Sequence, residues 1–520
     1  MGEFPLAKSL LRSTALVGQM TLISRVLGLA RDSAIAAVFG ASGATDAFVV
    51  AFRIPNLFRR LFAEGAFSQA FVPVLAGYKS TASPEEVKTV LSAVCSALAL
   101  VLLVIVALGV VAAPYIITLV APGFGNDPEK SALSASLLRL TFPYLWFISL
   151  TALLGGALNT YGRFAIPALT PALLNVAMIT CTLWLAPHLP QPVFALGIGV
   201  LLGGALQLGL QVLAVWRAGL LPKPTLNFQH PAVSRILRLM GPAVFGVSVA
   251  QLNLLVSTFI ASFFTAGSLS WLYYADRLME FPVGLLGVAL GTVIMPRLAH
   301  HHARVEPELF SKTLDWSLRT VFALTIPAAV GLAVLGPVLL TTLFQYGEFG
   351  AHDVTMSAQA LMAYAAGLTG LIMVKVLAPA YYARQDTRTP VKIGLISMLV
   401  NLLACMVLGW FFQHAGLALA VSLAAFVNSG LLLRGLLMNG VYRAQAGWRA
   451  FATQVGLAAA GMGVGLSVAL NHLTGWVGWS VLERGGCLAL LVAGGAVLYV
   501  SLAWVTGLRL SHMAQPEPRL

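Results

Sequence analysis

Runs of about 20 apolar residues, separated by short polar breaks, recur along almost the whole chain, and each is long enough to cross a bilayer as a helix. In lipid, a backbone must satisfy its own hydrogen bonds, which leaves only helices and closed barrels. Barrel strands alternate polar and apolar residues, whereas these runs are continuous. The 520 residues are 59% hydrophobic and only 9% charged, against about 25% charged in soluble domains. The expected fold is an all-α polytopic membrane protein. Fourteen candidate spans can be read at 10–39, 46–78, 88–119, 132–160, 166–186, 192–216, 235–265, 268–298, 313–344, 354–383, 390–411, 415–438, 449–470 and 486–507. Runs beyond about 30 residues must tilt, kink or project from the membrane.

Loop charge sets the orientation. Twenty Lys and Arg residues fall on the side that holds both termini, and only Lys130 and Arg484 fall in the opposite loops. Both termini are therefore expected in the cytoplasm, with an even number of spans. The opening MGEFPLAKSLLRS has no small-residue cleavage site after a short apolar core, so no removable signal peptide is expected. The net charge of +13 is scattered through short loops, which argues against nucleic acid as a partner. Cys95, Cys181, Cys405 and Cys487 sit singly in apolar segments and read as small packing residues.

The chain also repeats itself. Pro73 in FVPVLA matches Pro296 in IMPRLA, and Tyr161-Gly-Arg163 with Pro167 matches Tyr382-Ala-Arg384 with Pro390. Phe124-Gly125 matches Phe349-Gly350, and Arg53 matches Arg277, each pair displaced by about 224 residues. Six spans are an even number, so both copies enter from the same side, as parallel repeats do. The expected organisation is an N-lobe over 8–225 (spans 1–6), a C-lobe over 232–442 (spans 7–12) and a nearly uncharged appendage over 447–508 (spans 13 and 14). Two such lobes around a central cationic cleft are a transporter plan.

The charges inside spans carry the functional signal. An arginine at mid-membrane costs about 2.5–3.5 kcal/mol on insertion scales, so such groups pair, reach an interface or line a wet cavity. Spans 1 and 2 hold Arg25, Arg31, Arg53, Arg59 and Arg60 against Asp32, Asp46 and Glu64, an excess of two positive charges. Arg53 and Arg60 share a helix face, as do Arg25 and Asp32, and Arg60 can pair with Glu64 four residues on. Gly28 permits a bend, and Pro55 kinks span 2 near Arg59. Ion pairing that only fastens helices is the plain alternative. The excess charge points instead to an anionic ligand, and arginine's planar fork suits phosphate oxygens.

Span 8 carries Tyr273-Tyr-Ala-Asp-Arg-Leu-Met-Glu280, with Asp276 and Glu280 on one face and Arg277 about 100° away. The two acids either act in function or neutralise neighbouring arginines. Ser270 reads as a helix cap, and Asp46 as either a cap or a functional acid. Lys375 either snorkels to the cytoplasmic edge or enters the cleft, Arg139 and Arg319 read as snorkelling to an edge, and Glu348 and Asp353 as solvated. His300, His301 and His302, three adjacent histidines taken without further ligands, are a weak metal signal, and no metal is assigned. There is no phosphate-binding GxxxxGK[ST] loop and no HExxH, so no ATPase or metalloprotease chemistry is expected.

These residues resemble a known family. SRVLGLARD at 24–32, GATDAF at 43–48, PNLFRRLFAEGAFSQAFVP at 55–73, YYADRLMEFP at 273–282 and PVKI at 390–393 are similar to the MurJ (MviN) lipid II flippases. These belong to the multidrug/oligosaccharidyl-lipid/polysaccharide exporter superfamily. The similarity covers essentially the whole chain, including fourteen spans, and suggests a Gram-negative source. It implies a non-enzymatic transporter of the bacterial inner membrane. Such a protein moves undecaprenyl-pyrophosphate-linked disaccharide-pentapeptide from the cytoplasmic to the periplasmic leaflet, for peptidoglycan and cell shape. It places cleft arginines at Arg25, Arg31, Arg59 and Arg277, functional acids at Asp46, Glu64, Asp276 and Glu280, and further positions of interest at Ser24 and Ser270. It implies a lipid-tail groove on spans 13 and 14, and it allows divisome or elongasome partners. No cofactor is implied. Coupling to membrane potential, a proton or a monovalent cation stays open, and no clear set of sodium ligands is found. The alternatives are a flippase for another lipid-linked oligosaccharide, a drug exporter of the same superfamily, a polyprenyl-phosphate enzyme, or a membrane scaffold. Drug export predicts an acidic cleft. An enzyme needs a clustered acid/base or metal set, and a scaffold leaves the arginines unexplained.

Overall fold

The computed structural model describes residues 5–60, 67–225, 227, 229–473 and 475–508. Their side chains are described from residue 18 onward, except at 68, 69, 241–250, 252, 288, 289 and 292. Every regular element among the described residues is helical. Nine segments of these residues are long and apolar enough to cross a membrane. The described residues of each apolar run fall largely on helix, and the runs 132–160 and 354–383 are broken near Pro143 and at Gly367.

The first compact unit comprises residues 1–267 with 346–348. It holds α1 (Pro5–Phe39), α2 (Gly43–Phe58), α3 (Phe67–Thr81), α4 (Pro84–Val111), α5 (Ala113–Val120), α6 (Pro128–Thr141), α7 (Tyr144–Thr160), α8 (Ala165–Thr180), α9 (Phe194–Arg217) and α10 (Pro231–Ala261). Its core joins Phe71 and Leu75 of α3, Val90 and Leu91 of α4, Leu153 and Leu158 of α7 and Val215 of α9. Ala232, Val233, Ile236 and Met240 of α10 enter the same core. The first compact unit therefore includes α10 and runs to residue 267. The apolar face of α10 is buried on α3 and α4, and burial rather than repeat register decides which unit keeps it.

The local chemistry of α2 explains how its charges are held. Gly40 ends α1 at φ 58, and the Ser42 hydroxyl caps α2 by accepting from the Thr45 amide at 3.3 Å. Asp46 then falls in the first turn, where the helix dipole favours an anion. Pro55 lies inside α2, and the helix widens to a π turn at Arg59 and Arg60. Such bulges arise where a regular ladder is interrupted.

The second unit comprises residues 268–345 and 349–520. It holds α11 (Ser268–Ala303), α12 (Pro307–Phe344), α13 (Ala351–Ala366), α14 (Leu368–Tyr382), α15 (Arg388–Met438), α16 (Trp448–His472) and α17 (Val481–Val505). The expected spans 390–411 and 415–438 both lie in α15, broken only at Gln413 with φ 47 and ψ −128. The Ser397 hydroxyl donates to the Ala424 carbonyl at 2.8 Å. A straight helix would separate those residues by about 40 Å at 1.5 Å per residue, so α15 is a helical hairpin. Gly416 permits the close turn, because a Cβ there would overlap the Leu408 carbonyl oxygen.

The helices that hold the expected spans 13 and 14 pack against α12. Val455 and Ala458 of α16 and Ala503 of α17 bury against Ala323 of α12. Met462, Leu466 and Leu491 pack with Leu335 further along the same helix. Tyr499 donates to the Ala323 carbonyl at 2.8 Å, and Trp476 Nε1 to Thr342 Oγ1 at 3.1 Å. Their remaining surface is apolar, with Leu457, Val464, Leu490 and Trp504 exposed.

Candidate functional site

Within the first unit, α1 packs along α8, and the contact is polar at one point. Arg31 is 7% exposed and Asp32 2%. Arg31 donates through Nε at 3.0 Å and Nη2 at 2.7 Å to the same Asp32 oxygen, and through Nη1 to Asn175 Oδ1 at 3.1 Å. Asn175 in turn donates to the Ser24 carbonyl at 3.0 Å. A buried charge needs a partner and hydrogen bonds, and Arg31 has both. It fastens α1 to α8 here, a role that sequence periodicity hides because residues 31 and 32 lie on adjacent faces. Asn175 was not anticipated. An amide in an apolar run is its only sequence signal.

The other first-unit arginines keep access to the exterior. Arg25 and Arg60 are exposed, and Arg53 and Arg59 are half-buried. Arg53 donates to the Thr258 hydroxyl at 2.7 Å and Arg59 to Asn56 Oδ1 at 2.8 Å, both neutral oxygens. Glu64, the expected partner of Arg60, lies outside the described residues. Ser24 is half-buried.

Asp46 is 1% exposed. It accepts from Lys130 Nζ at 3.1 Å and from the Gly267 amide at 2.8 Å. The Lys130 ammonium also lies 4.2 Å from the centre of the Phe124 ring, within cation–π range. Asp46 is thus both a first-turn acid and half of an ion pair. A cavity of about 470 Å³ opens beside it, with Lys130, Phe124, Asp127, Glu129, Gln191 and Ser262 on its wall. The pairing was foreshadowed by Lys130 being one of two cations in the loops opposite the termini.

Within the second unit, Arg277 donates through Nη1 to Glu280 at 3.0 Å and through Nη2 to the Tyr273 hydroxyl at 3.2 Å. Its guanidinium carbon stands 4.9 Å from the Tyr273 ring centre. The pair is open, with side-chain exposures of 32% and 47%. Asp276 is half-buried. Ser270 is fully buried in the first turn of α11, which begins two residues earlier at Ser268. Lys375 stands in the middle of α14, not at its end, with its carbon stem over Gly287 of α11.

Two residues read as edge or solvated charges are held more firmly, and a third carboxylate joins them. Arg319 does not simply snorkel, since its Nε donates to Asp315 at 2.8 Å and its Nη2 to the Ala446 carbonyl at 2.8 Å. Asp353 is not merely solvated, since it accepts from Trp271 Nε1 at 2.8 Å and from the Gly350 amide at 3.0 Å. Asp315, unremarked in the sequence, is 3% exposed. One of its oxygens accepts from Tyr442 at 2.7 Å, Trp448 Nε1 at 2.7 Å and the Gln445 amide at 3.1 Å. Burial, and then the Asp315 carboxylate, push the Tyr442 phenol above its ordinary pKa. An acid four residues before an arginine in an apolar run was the missed signal.

Exposed or half-buried arginines thus lie on helices of an apolar polytopic fold. That helical fold is shared with solved membrane proteins. An inward-facing multidrug-resistance transporter of the MATE family superposes with a TM-score of 0.66 at 12% identity, covering 82% of this chain and 98% of its own. A solved lipid II flippase MurJ in an inward closed conformation superposes with a TM-score of 0.79 at 27% identity, covering 94% and 98%. The sequence profile of the family described as lipid II flippase MurJ matches residues 35–485. The chain is 43% identical to a probable lipid II flippase MurJ of Vibrio cholerae over 99% of both chains. It is 44% identical to the lipid II flippase MurJ of Burkholderia cenocepacia over 97% of this chain and 99% of that one. The chain belongs to the lipid II flippase MurJ family.

Proposed function

We propose that this protein moves lipid II from the cytoplasmic to the periplasmic leaflet of the bacterial inner membrane, without covalent change to its cargo. The observation that carries the reading is the accessibility of Arg25, Arg53, Arg59 and Arg60 on helices of an apolar fold. Guanidinium groups facing lipid are too costly to retain, so accessible ones reach an interface, water or a polar guest, whichever protein groups they also touch. Pyrophosphate and peptide carboxylates match their geometry. Arg277 offers the same chemistry in the second unit, and its exposed partner Glu280 can yield it to a stronger anion. Arg31 positions α1 through Asp32 and Asn175. The apolar exterior of α16 and α17 suits the polyprenyl tail, which stays in lipid while the head group crosses.

The mechanism is alternating access, with both termini in the cytoplasm. A charge carried across the membrane potential is worth about 2.3 kcal/mol per 100 mV, so a potential, a proton or a monovalent cation can bias reorientation. Reconstitution into liposomes with leaflet-specific detection of lipid II, with and without an imposed potential, tests the proposal. Arg25→Ala and Arg277→Ala are expected to lower translocation at least ~10-fold, the loss of one charge-assisted contact. Full translocation by both well-inserted variants would refute the docking role. Transport of another lipid-linked oligosaccharide in preference to lipid II would favour the alternative flippase reading.

A further inference from the structure

At the end of α11 the chain turns sharply into α12, and the turn gathers three groups of one kind. The Glu306 amide donates to the His301 carbonyl at 2.9 Å and the Val305 amide to the His302 carbonyl at 3.1 Å. This is the bond pattern of a Schellman cap, in which glycine or asparagine is the usual left-handed residue. Here the position is held by Val305 at φ 57, a β-branched residue in a region it rarely adopts. The turn swings Glu306 back over the helix it has just left. Its Oε2 lies 2.8 Å from Nδ1 of His301, and His300 presents a ring nitrogen to the same point. The ligating atoms of His300, His301 and Glu306 all lie within 4.8 Å of one another.

We infer that His300, His301 and Glu306 form a binding site for a divalent transition-metal ion of the zinc class. Two nitrogens and a carboxylate oxygen are the donors such ions take, at about 2.0–2.2 Å. Two donors at 2.0 Å on a tetrahedral ion stand about 3.3 Å apart, so the His301 Nδ1–Glu306 Oε2 hydrogen bond of 2.8 Å opens by about 0.5 Å as the ion replaces its proton. The third donor, His300, is exposed, so a small rotation of its side chain closes the set. His301 is 3% exposed and fixed in place, which supplies a rigid half to the site. Three protein ligands leave coordination positions for water. The sequence alone gave only adjacent histidines, since Glu306 joins them through the turn. An ion held there links the last turn of α11 to the residue that opens α12, and so clamps that corner.

The test uses the full-length chain, purified without a polyhistidine tag and placed in nanodiscs, titrated with zinc chloride against a chromophoric chelator. The expected result is one competing zinc ion per chain. Glu306→Gln and His301→Ala each weaken it by ~10-fold or more, the usual cost of losing one group from a metal's ligand shells, and His302→Ala leaves it unchanged. Glu306 is partly accessible, so Glu306→Gln reports even where His301→Ala fails to insert. Wild-type protein that takes up no zinc, or Glu306→Gln protein that binds it as tightly as wild type, would overturn the assignment.

Discussion

Removing the Asp315 carboxylate, as in Asp315→Ala, should release the loop between α15 and α16 while leaving the rest of the second unit folded. The carboxylate collects Tyr442, the Gln445 amide, Trp448 and Arg319 at 2.7–3.1 Å. Breaking a buried ion pair by removing one partner costs about 3–5 kcal/mol. The lower end applies, because Arg319 keeps 17% side-chain exposure and the Ala446 carbonyl. It also lies over the rings of Trp448 and Phe451. About 3 kcal/mol corresponds to a roughly 150-fold rise in the open population of the loop, at 1.4 kcal/mol per tenfold. Hydrogen exchange in nanodiscs reads this directly at Gln445, whose amide bonds Asp315, and at Arg443, whose amide bonds the Ser311 hydroxyl at 2.9 Å. Both amides should exchange about two orders of magnitude faster. The double variant with Arg319→Ala should recover part of the loss, since no unpaired charge remains. Exchange within threefold of wild type at both amides in well-inserted Asp315→Ala protein would show that the carboxylate does not hold the loop.

Other outcomes follow from the same geometry. Lys130→Ala removes the ammonium that pairs with the buried Asp46 carboxylate, and should destabilise the first unit by about 3 kcal/mol in chemical unfolding. Asp46→Asn in the same background should restore much of it, and no restoration would contradict the pairing. Gly416→Val should break the α15 hairpin, because its side chain would overlap the Leu408 carbonyl, and detergent-solubilised protein should lose its unfolding cooperativity. Asp386, in the loop before α15, is held below the usual carboxylate range by the Thr389 hydroxyl and amide. Its folded pKa is lowered, so its small stabilisation is present above about pH 4 and fades as pH falls through the lowered value. Thr389 amide exchange should therefore rise in acid, and Asp386→Asn should flatten that dependence.

The helical class could be read from the chain because lipid admits so few backbone solutions, and every regular element among the described residues is helical. Hydropathy resolved even the α15 hairpin, since its polar break Gln413-His414 interrupts the run. Candidate charges were legible for the same reason. Arg25, Arg53, Arg59, Arg60 and Arg277 stand out because charge inside an apolar run is expensive.

What the sequence could not supply was the partner of each charge. Arg31 bonds its immediate neighbour and an amide 144 residues away, Asp46 bonds a lysine 84 residues on, and Asp315 binds a loop about 130 residues on. Periodicity orders side chains around one helix only. Contacts between helices depend on how apolar faces pack, and that packing also drew α10 into the first unit. Hydropathy and charge thus determined that this chain spans membranes and carries cations within its spans. Tertiary packing decided which partner each buried charge meets, because a desolvated charge keeps whichever neighbour the fold brings to it.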